Sequence, residues 1–313
     1  MNPKKNNNQI IIIGGGPAGI TAAIQLKRCG LEPLLLERRE LGGLLWNANL
    51  VENYPGFPNG VRGEKLIGLM KKQVERIGVE MKREEAVSVD LQAERFIVET
   101  NYAARAARYL VVASGTKSKP PPKIISPEAR ERVFTEVWPL AKMEEKQIII
   151  VGAGDAAFDY ALNLSKNRNF VTILNRGYSV KCLGLLFERA MKESHIRYLT
   201  NTAVTEIRSV EGHWSNVARP LTSDLRLEIV CASETFEADY VLFAIGREPN
   251  LDFLSDEARR RERELVESGR LYFVGDVKNG LYRQAVIAAG DGLRAAMQIY
   301  SVMRNSFRNE EAR

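Results

Sequence analysis

Two glycine-rich segments of the chain have the residue types and spacing of a phosphate-binding turn. The first is Ile13–Gly19 and the second is Val151–Ala157. Each follows an apolar run and opens a segment with helical periodicity. Glycine lets the backbone turn tightly and approach a pyrophosphate, and the first N–H groups of the following helix then face that anion. One such turn is a weak signal, but two in one chain indicate two nucleotide sites.

The elements that must position the first turn agree with this interpretation. The sequence predicts a buried parallel strand at Gln9–Ile13 and a helix at Pro17–Cys29, ended by Gly30. A second apolar strand, Pro33–Leu36, leads to Glu37. A carboxylate about 20 residues beyond the turn suits the hydroxyl groups of an adenosine ribose. The first site is therefore expected to bind an adenine dinucleotide.

The second turn has the same surroundings. We predict a strand at Lys146–Val151, a helix at Asp155–Ser165 and a further strand at Asn169–Leu174. Later in this region the sequence predicts a helix at Gly184–Ser194 and strands within Ile196–Ser209. The second site therefore belongs to a nucleotide-binding domain of its own.

The residues that follow the predicted strand Asn169–Leu174 indicate which nucleotide the second site prefers. Asn175 stands where an NAD site often has an acid for the ribose 2′-OH. Arg176 follows at once and Lys181 lies in the same segment, and two cations suit a 2′-phosphate. This pattern favours NADPH over NADH, while surface cations without a ligand remain the alternative.

Composition limits the class of protein. A length of 313 residues suits two domains, and 45% hydrophobic residues suit packed cores. No apolar run is long enough to span a membrane, and a net charge of +6 comes without a nucleic-acid-binding motif. Arg259–Arg261 is surrounded by acids and indicates a solvated helix of alternating charge. The widely spaced cysteines suit a reducing cytoplasm, and His195 and His213 have no second ligand nearby, so no metal site is expected.

Further motifs follow in a fixed order along the chain. They are Leu41–Leu44, Val51–Phe57, Gly63–Glu80 (read as a helix), Val111–Thr116, Ala244–Asn250, Phe273–Asp276 and Arg283–Ala285. Together with the two turns they resemble the low-molecular-weight thioredoxin reductase family and its relatives, the thioredoxin-reductase-like ferredoxin–NADP reductases. The resemblance covers nearly the whole chain.

The resemblance implies an α/β fold with two Rossmann-like, three-layer ββα domains, the second inserted into the first. Residues 1–117 and 248–313 would form a discontinuous FAD-binding domain, and residues 118–247 the NAD(P)H-binding domain. The crossings fall on Lys117–Pro122, which is proline-rich, and on Arg247–Asn250. A homodimer is also implied by the resemblance.

The motifs give two sets of expected cofactor-binding residues. For FAD they are Gly14, Gly16, Pro17, Ala18, Gly19, Glu37, Arg38, Gly43, Leu44, Asn53, Ala86, Ser114, Gly115, Gly275, Asp276, Gln284 and Ala285. For NAD(P)H they are Gly152, Gly154, Asp155, Ala156, Asn175, Arg176, Lys181, Ile245 and Gly246.

Two of the FAD motifs have a physical role of their own. By resemblance, Asp276 binds the ribityl or pyrophosphate region of FAD. Gln284 and Ala285 open a helix predicted to run to about Met303, and its N-terminus would stabilise negative charge on the reduced flavin. No side chain is expected to act as a catalytic acid or base, because the flavin itself carries the chemistry.

The redox disulfide of thioredoxin reductases is missing. Its Cys-x-x-Cys position is occupied here by Thr135–Trp138, and Cys29, Cys182 and Cys231 form no pair. The ferredoxin–NADP reductase branch shares this absence, and Gly154–Leu164 also resembles that branch. That branch usually has a C-terminal extension, which is short here, and Val51–Phe57 is closer to the thioredoxin reductase pattern.

Three functions are compatible with these features. The first is an NADPH-dependent flavoenzyme that passes electrons to an acidic carrier protein, either a ferredoxin or a flavodoxin. The second reduces a small acceptor such as a quinone, a disulfide molecule or oxygen. The third is a flavin-bound sensor or assembly subunit with negligible turnover.

Overall fold

A computed structural model describes residues 9–211 and 225–311, and the chain divides into two compact units. Unit 1 comprises Met1–Trp46, Val51–Lys117 and Glu248–Arg313, and unit 2 comprises Asn47–Leu50 and Ser118–Arg247. The sequence puts residues 47–50 in the first domain. The structure puts them with unit 2, because Asn47 and Asn49 form hydrogen bonds to side chains of that unit.

The first stretch of the chain contains strands and helices of unit 1. They are β1 (Ile10–Ile13), α1 (Pro17–Arg28), β2 (Pro33–Leu36), α2 (Gly63–Ile77), β3 (Glu80–Lys82), β4 (Ala86–Gln92), β5 (Arg95–Thr100), β6 (Ala104–Ala107), β7 (Tyr109–Val112) and β8 (Thr116–Ser118), the last of which ends in unit 2.

The middle stretch forms the rest of unit 2. Its elements are β9 (Val133–Phe134), β10 (Gln147–Val151), α3 (Asp155–Ser165), β11 (Phe170–Leu174), α4 (Gly184–Lys192), β12 (Ile196–Leu199), β13 (Val204–Glu211), β14 (Leu225–Cys231), β15 (Thr235–Ala238) and β16 (Tyr240–Phe243).

The last stretch returns to unit 1. It contains β17 (Arg247–Pro249), which pairs with β8, then α5 (Asp256–Arg260), α6 (Glu262–Glu267), β18 (Leu271–Phe273) and α7 (Ala285–Glu311).

Unit 1 is built on a parallel sheet with the strand order β18-β7-β1-β2-β3. Ile11 and Ile13 of β1 face the antiparallel sheet β4-β5-β6 and pack with Val89, Phe96 and Val98 in one core. Alternate residues of β1 point to the other face, which α1 covers. Burial on both faces explains why β1 reads as a continuous apolar run.

Unit 2 repeats this three-layer arrangement. Its parallel sheet has the order β12-β11-β10-β16-β9. Ile148 and Ile150 of β10 pack against α3 and α4, together with Phe158. Ile149, between them, packs on the other face with Ile207 and Ile229 of the antiparallel sheet β13-β14-β15. The predicted pair of Rossmann-like ββα domains is therefore confirmed.

Some element boundaries differ from the sequence prediction. The helix predicted to reach Glu80 ends at Ile77, because Gly78 takes the left-handed conformation (φ 71°) and β3 then joins the sheet. The final helix continues beyond Met303 to Glu311. The helix predicted over Gly184–Ser194 ends at Lys192, and Ile196–Ser209 contains two strands that belong to different sheets.

The arginine run in the last stretch is a solvated, ion-paired surface, as the sequence predicts. Arg260 forms an ion pair with Glu257 at 3.0 Å within α5, and Arg263 forms one with Glu267 at 2.8 Å within α6. Arg261 pairs with Glu264 at 2.7 Å. The charges of these arginines are balanced by neighbouring glutamates, so these residues do not form a basic stripe of the kind that binds a nucleic acid.

The crossing of α1 and α7 needs a glycine. A Cβ atom on Gly292 would lie 2.0 Å from the carbonyl oxygen of Ala18 and 3.1 Å from the amide nitrogen of Ala22. Both alanines are buried, so the two helix backbones are in direct contact. This contact fixes α7 against the helix that follows the first turn.

We predict that Gly292→Ala lowers the free energy of unfolding by about 1–3 kcal/mol, because the added methyl group overpacks the crossing. Gly68→Ala on α2 is the matched control. Its methyl group meets no atom within 4 Å, and alanine is the better helix former, so it should stabilise slightly. Urea titrations measure both. Equal effects of the two variants would contradict the prediction.

Candidate nucleotide sites

The first turn is locked in place by the protein's own backbone. Gly14 has φ +106°, and a Cβ atom there would lie 2.3 Å from the carbonyl oxygen of Ala113 at the end of β7. The amide of Gly14 donates to the carbonyl oxygen of Leu36 at 2.8 Å. A Cβ atom on Gly19 would lie 1.9 Å from the oxygen of Gly14. These two glycines are required by the fold itself.

The second turn has the same construction. Gly152 has φ +137°, and a Cβ atom there would lie 2.3 Å from the carbonyl oxygen of Ala244 at the end of β16. Its amide donates to the oxygen of Leu174 at 3.0 Å. Ala157 stands where the first turn has Gly19 and is fully buried. The helix and strand approach each other slightly less closely here, which leaves room for one methyl group.

The middle glycine of each turn, Gly16 or Gly154, is not required by the backbone as Gly14 and Gly152 are. Gly16 and Gly154 have φ values of −78° and −95°, which any residue adopts. A Cβ atom on Gly16 would meet nothing closer than 4.0 Å, the Cα of Gly43, and one on Gly154 nothing closer than 3.9 Å, the oxygen of Lys181. The fold does not need glycine at either position. The open space at the start of each helix fits a pyrophosphate.

Glu37 lies directly beside the first turn. Its Oε2 accepts the amide of Gly15 at 2.6 Å, and its Oε1 accepts the amide of Arg39 at 2.9 Å. The adjacent Arg38 forms an ion pair with Glu85 at 3.5 Å, next to Ala86 at the start of β4. The structure therefore brings three of the predicted FAD-binding residues, Glu37, Arg38 and Ala86, close to one another.

Other predicted FAD-binding residues from distant parts of the chain also come together in unit 1. Asn53 Nδ2 donates to Gln284 Oε1 at 2.8 Å, just before α7. Ser114 Oγ donates to the carbonyl oxygen of Asn250 at 2.6 Å. Gly43, with φ +54°, begins a 3-10 turn that contains Leu44 and lies against Gly16.

The remaining FAD candidates lie on the same elements. Pro17 and Ala18 occupy the first turn of α1, Gly115 has φ +64° just after β7, Gly275 and Asp276 form a 3-10 turn after β18, and Ala285 is the first residue of α7.

Asp291 is a residue that the sequence reasoning missed. Its Oδ2 accepts the amide of Gly275 at 3.2 Å and Nδ2 of Asn279 at 2.8 Å, and its Oδ1 lies 3.4 Å from Nζ of Lys278. It thus fixes the turn that carries Asp276. The available signal in the sequence was an acidic residue, Asp291, in the mainly apolar first half of α7.

The candidates in unit 2 surround the second turn. Asp155, the first residue of α3, accepts the amide of Leu183 at 2.8 Å, and the amide of Lys181 donates to the oxygen of Ala153 at 3.0 Å. Asn175 is buried, whereas Arg176 and Lys181 are exposed. The others are Ala156 on α3, Ile245, which is 39% exposed, and Gly246, with φ +110°, in the loop after β16.

A polar network occupies Thr135–Trp138, the position at which the resemblance described above would place a Cys-x-x-Cys pair. Glu136 Oε1 accepts Arg247 Nη1 at 2.8 Å and Ser118 Oγ at 3.1 Å, and its Oε2 accepts Nδ2 of Asn47. The backbone amide of Trp138 donates to Asn47 Oδ1 at 3.3 Å. These contacts are structural hydrogen bonds, and neither Thr135 nor Trp138 offers a sulfur atom.

Asp159 on α3 is a half-buried carboxylate with an altered pKa. Burial raises its pKa to about 6, and the backbone N–H of Asn49, at 3.0 Å from Oδ2, together with Lys166, opposes that rise. Lys166 also contacts Asn49 Oδ1. Asp159 therefore holds residues 47–50 against the rest of unit 2.

The structure offers no other obvious redox or metal centre in residues 9–211 and 225–311. No cluster of three or more His, Cys, Asp or Glu residues is arranged to hold a metal. His195 lies beside Ser194 and the ring of Phe170, and His213 lies outside the described residues. In those ranges no helix is long and apolar enough to cross a bilayer.

Comparisons with known proteins agree with the geometry. Residues 8–293 match the family described as pyridine nucleotide-disulphide oxidoreductase. Thioredoxin reductase of Chlamydia pneumoniae is 30% identical over 312 residues, which cover 93% of this chain and 97% of that protein. The enzyme of Rickettsia conorii is 31% identical over 311 residues, covering 94% and 97%. A crystal structure of Lactococcus lactis thioredoxin reductase superimposes with a TM-score of 0.76 at 24% identity, covering 95% and 99%, and this likeness concerns the fold.

The middle glycines give a direct test of both sites. We predict that Gly16→Ala folds but purifies with at least about tenfold less FAD, because its methyl group enters the pyrophosphate space. Gly154→Ala should keep its flavin and lose at least about tenfold in affinity for NADPH. Flavin absorbance and calorimetric titration measure these effects. Gly184→Ala, whose methyl group meets no atom within 4 Å, is the control. Full nucleotide binding by both variants would contradict the assignment.

Asp159 should make stability depend on pH. The folded state binds a proton between about pH 4 and 6 that the unfolded state releases, so stability falls as pH rises through this window and stays lower above it. Asp159→Asn removes that cost and should raise the free energy of unfolding at pH 8 by about 1–3 kcal/mol, with little change at pH 4. Glu188→Gln, at an exposed site on α4, is the control. The expectation fails if Asp159→Asn destabilises equally at both pH values.

Proposed function

Because this chain belongs to the pyridine nucleotide-disulphide oxidoreductase family, we propose that it passes electrons from NADPH through FAD directly to an external acceptor. The chain is an FAD-dependent oxidoreductase of the thioredoxin reductase type, and FAD and NADPH are the cofactors of that family. The predicted family and cofactors are therefore confirmed. The identity of the acceptor is the open part of the proposal.

FAD, when bound, accepts hydride from NADPH and returns the electrons to an acceptor. The chain's residues bind and orient the cofactors. The open spaces at Gly16 and Gly154 hold the pyrophosphates. The N-terminus of α7 at Ala285 would direct its positive end at the negative charge that a bound flavin acquires on reduction. Next to this N-terminus, the side-chain amide of Asn53 donates a hydrogen bond to that of Gln284, and this bond orients both side chains. No side-chain acid or base is needed.

The observation that supports direct transfer is the lack of a thiol pair. The chain has three cysteines in total, and none lies at Thr135–Trp138. Burial raises the pKa of the Cys182 thiol, and the charge of Asp155 raises it further. Burial likewise raises the pKa of Cys231. Thiols with raised pKa values form little thiolate at neutral pH and are poor relays.

We propose that the acceptor is an acidic one-electron carrier, a ferredoxin or a flavodoxin. Two features support this choice over the thioredoxin named in the relatives. The segment Gly154–Leu164 resembles the ferredoxin–NADP reductase branch, which also lacks the dithiol. The net charge of +6 would steer an acidic partner. The three unpaired cysteines suit the cytoplasm as the place of action.

We also propose a homodimer. One face of α7 exposes the apolar side chains of Leu293, Met297 and Tyr300, which are 37–57% exposed. Large exposed apolar patches favour association. Sedimentation of the assayed preparation gives the number of subunits, and a monomer at micromolar concentration would overturn this part.

The electron path is tested by anaerobic stopped-flow mixing of the purified protein with NADPH or NADH, followed by candidate acceptors. We expect NADPH to bleach the flavin faster than NADH. Reoxidation should be faster with ferredoxin or flavodoxin than with thioredoxin, a quinone or oxygen, and should slow as salt rises. A variant with Cys29, Cys182 and Cys231 all replaced by serine should keep these rates.

Each contrary result has a meaning. A flavin that NADPH does not bleach would favour the sensor or assembly subunit. Fastest reoxidation by a quinone, a disulfide molecule or oxygen would favour the small-acceptor enzyme. Loss of acceptor reduction in the triple serine variant, with bleaching retained, would show that a thiol relays the electrons after all.

A further inference from the structure

A loop of unit 2 that carries two exposed cations is fixed by contacts within the protein. This cationic loop consists of residues 175–183, between β11 and α4. Arg176 and Lys181 are both exposed in it. The loop is held at its start by the side chain of Asn175 and at its end by the backbone of Lys181 and Leu183, and these contacts determine where the two cations stand.

The start of the loop is held by the side-chain amide of Asn175. Its Nδ2 donates to the carbonyl oxygen of Ser179 at 3.0 Å and to Oη of Tyr198 at 2.8 Å, while its Oδ1 accepts the amide of Gly177 at 3.0 Å. An N–H group can only donate and a carbonyl can only accept, so the orientation of the amide is determined. The buried Asn175 thus closes the first half of the loop on itself.

Tyr198 fixes Asn175 in turn. Its ring packs against Phe158 of α3 and Phe187 of α4, with ring centroids 5.5 and 5.7 Å away, and those two rings also pack against each other. Aromatic pairs prefer particular mutual orientations, so this packing restricts the position of the Tyr198 side chain. The hydroxyl group at the edge of this cluster therefore offers Asn175 a fixed acceptor.

The end of the loop is fixed at the second turn. The amide of Lys181 donates to the oxygen of Ala153, and Lys181 and Gly154 form an isolated β-bridge. Two residues later, the amide of Leu183 donates to Asp155 Oδ1 at 2.8 Å. Lys181 is thereby held next to the open space in front of α3.

We propose that Asn175 and Tyr198 are positioning residues that hold the cationic loop so that Arg176 and Lys181 select a nucleotide bearing a 2′-phosphate. The inference rests on the proposed use of NADPH at this site. A loop held in its binding shape loses less conformational entropy when the anion binds, so affinity for the phosphate depends on groups that never touch it.

This arrangement also accounts for the missing acid at the end of β11. A carboxylate at position 175 accepts hydrogen bonds and donates none when ionised. It could accept a hydrogen bond from the hydroxyl group of Tyr198, but it could not donate to the carbonyl oxygen of Ser179 as Nδ2 does. The amide is needed to close the loop, and the cations on that loop then replace the acid as the selective groups.

The test compares binding of 2′,5′-ADP, which has the 2′-phosphate, with binding of 5′-ADP, which lacks it, by calorimetry on the flavin-loaded protein. Tyr198→Phe keeps the ring packing and removes one hydrogen bond. It should weaken 2′,5′-ADP about threefold to tenfold and leave 5′-ADP unchanged. Asn175→Ala should have a larger effect in the same direction. Tyr178→Phe, at a 77% exposed site in the same loop, should change neither.

Three results would overturn the proposal. Tyr198→Phe and Asn175→Ala could weaken both nucleotides equally, which would indicate a purely structural role. Tyr198→Phe could leave the ratio of the two affinities at the wild-type value. Arg176→Ala could bind 2′,5′-ADP as tightly as the wild type, instead of at least about tenfold more weakly as charge-assisted contacts require. Reduction of wild-type flavin by NADPH tests the proposed function separately, because the loop is unaltered in that protein.

Discussion

One steric constraint, present in both units, determines the rest of the structure. The turn after the central strand of each parallel sheet passes so close to the neighbouring strand that a carbonyl oxygen, of Ala113 or of Ala244, stands where a Cβ atom would be. Only glycine fits at Gly14 and Gly152. Since the turn is held there, the helix that follows starts at the carboxyl edge of the sheet, with its first N–H groups facing the crevice.

The same constraint brings distant segments to each site. In unit 1, β1 lies between β2 and β7, so Glu37 after β2 and Ser114 after β7 lie on the two sides of the turn. In unit 2, β10 lies between β11 and β16, so Asn175 after β11 and Gly246 after β16 lie on the two sides of the second turn. Ligands bind in α/β sheets at such points because the connections on either side leave in opposite directions.

The two units use this shared framework differently. In unit 1 the group after the second strand is a carboxylate that receives the amide of Gly15, directly at the turn. In unit 2 it is an amide that closes a loop, and a carboxylate of α3, Asp155, holds the far end of that loop. One fold thus presents an acidic group at the first site and a cationic loop at the second. In unit 2, Glu136 is hydrogen-bonded to Arg247 and Ser118 in a network that contains no sulfur atom.

The sequence by itself determined the two turns, the strands and helices that flank them and the family, because glycine spacing and apolar runs are local signals of buried parallel strands followed by helices. Only the tertiary structure showed that Asp291 supports the turn at Asp276, that Asn47 belongs with unit 2 and that Tyr198 holds Asn175. These contacts join residues on different elements whose side chains carry no sequence pattern of their own. The tertiary structure also separated glycines needed by the backbone, such as Gly14, from those that leave space for a ligand, such as Gly16, because that difference depends on which atoms lie nearby in space.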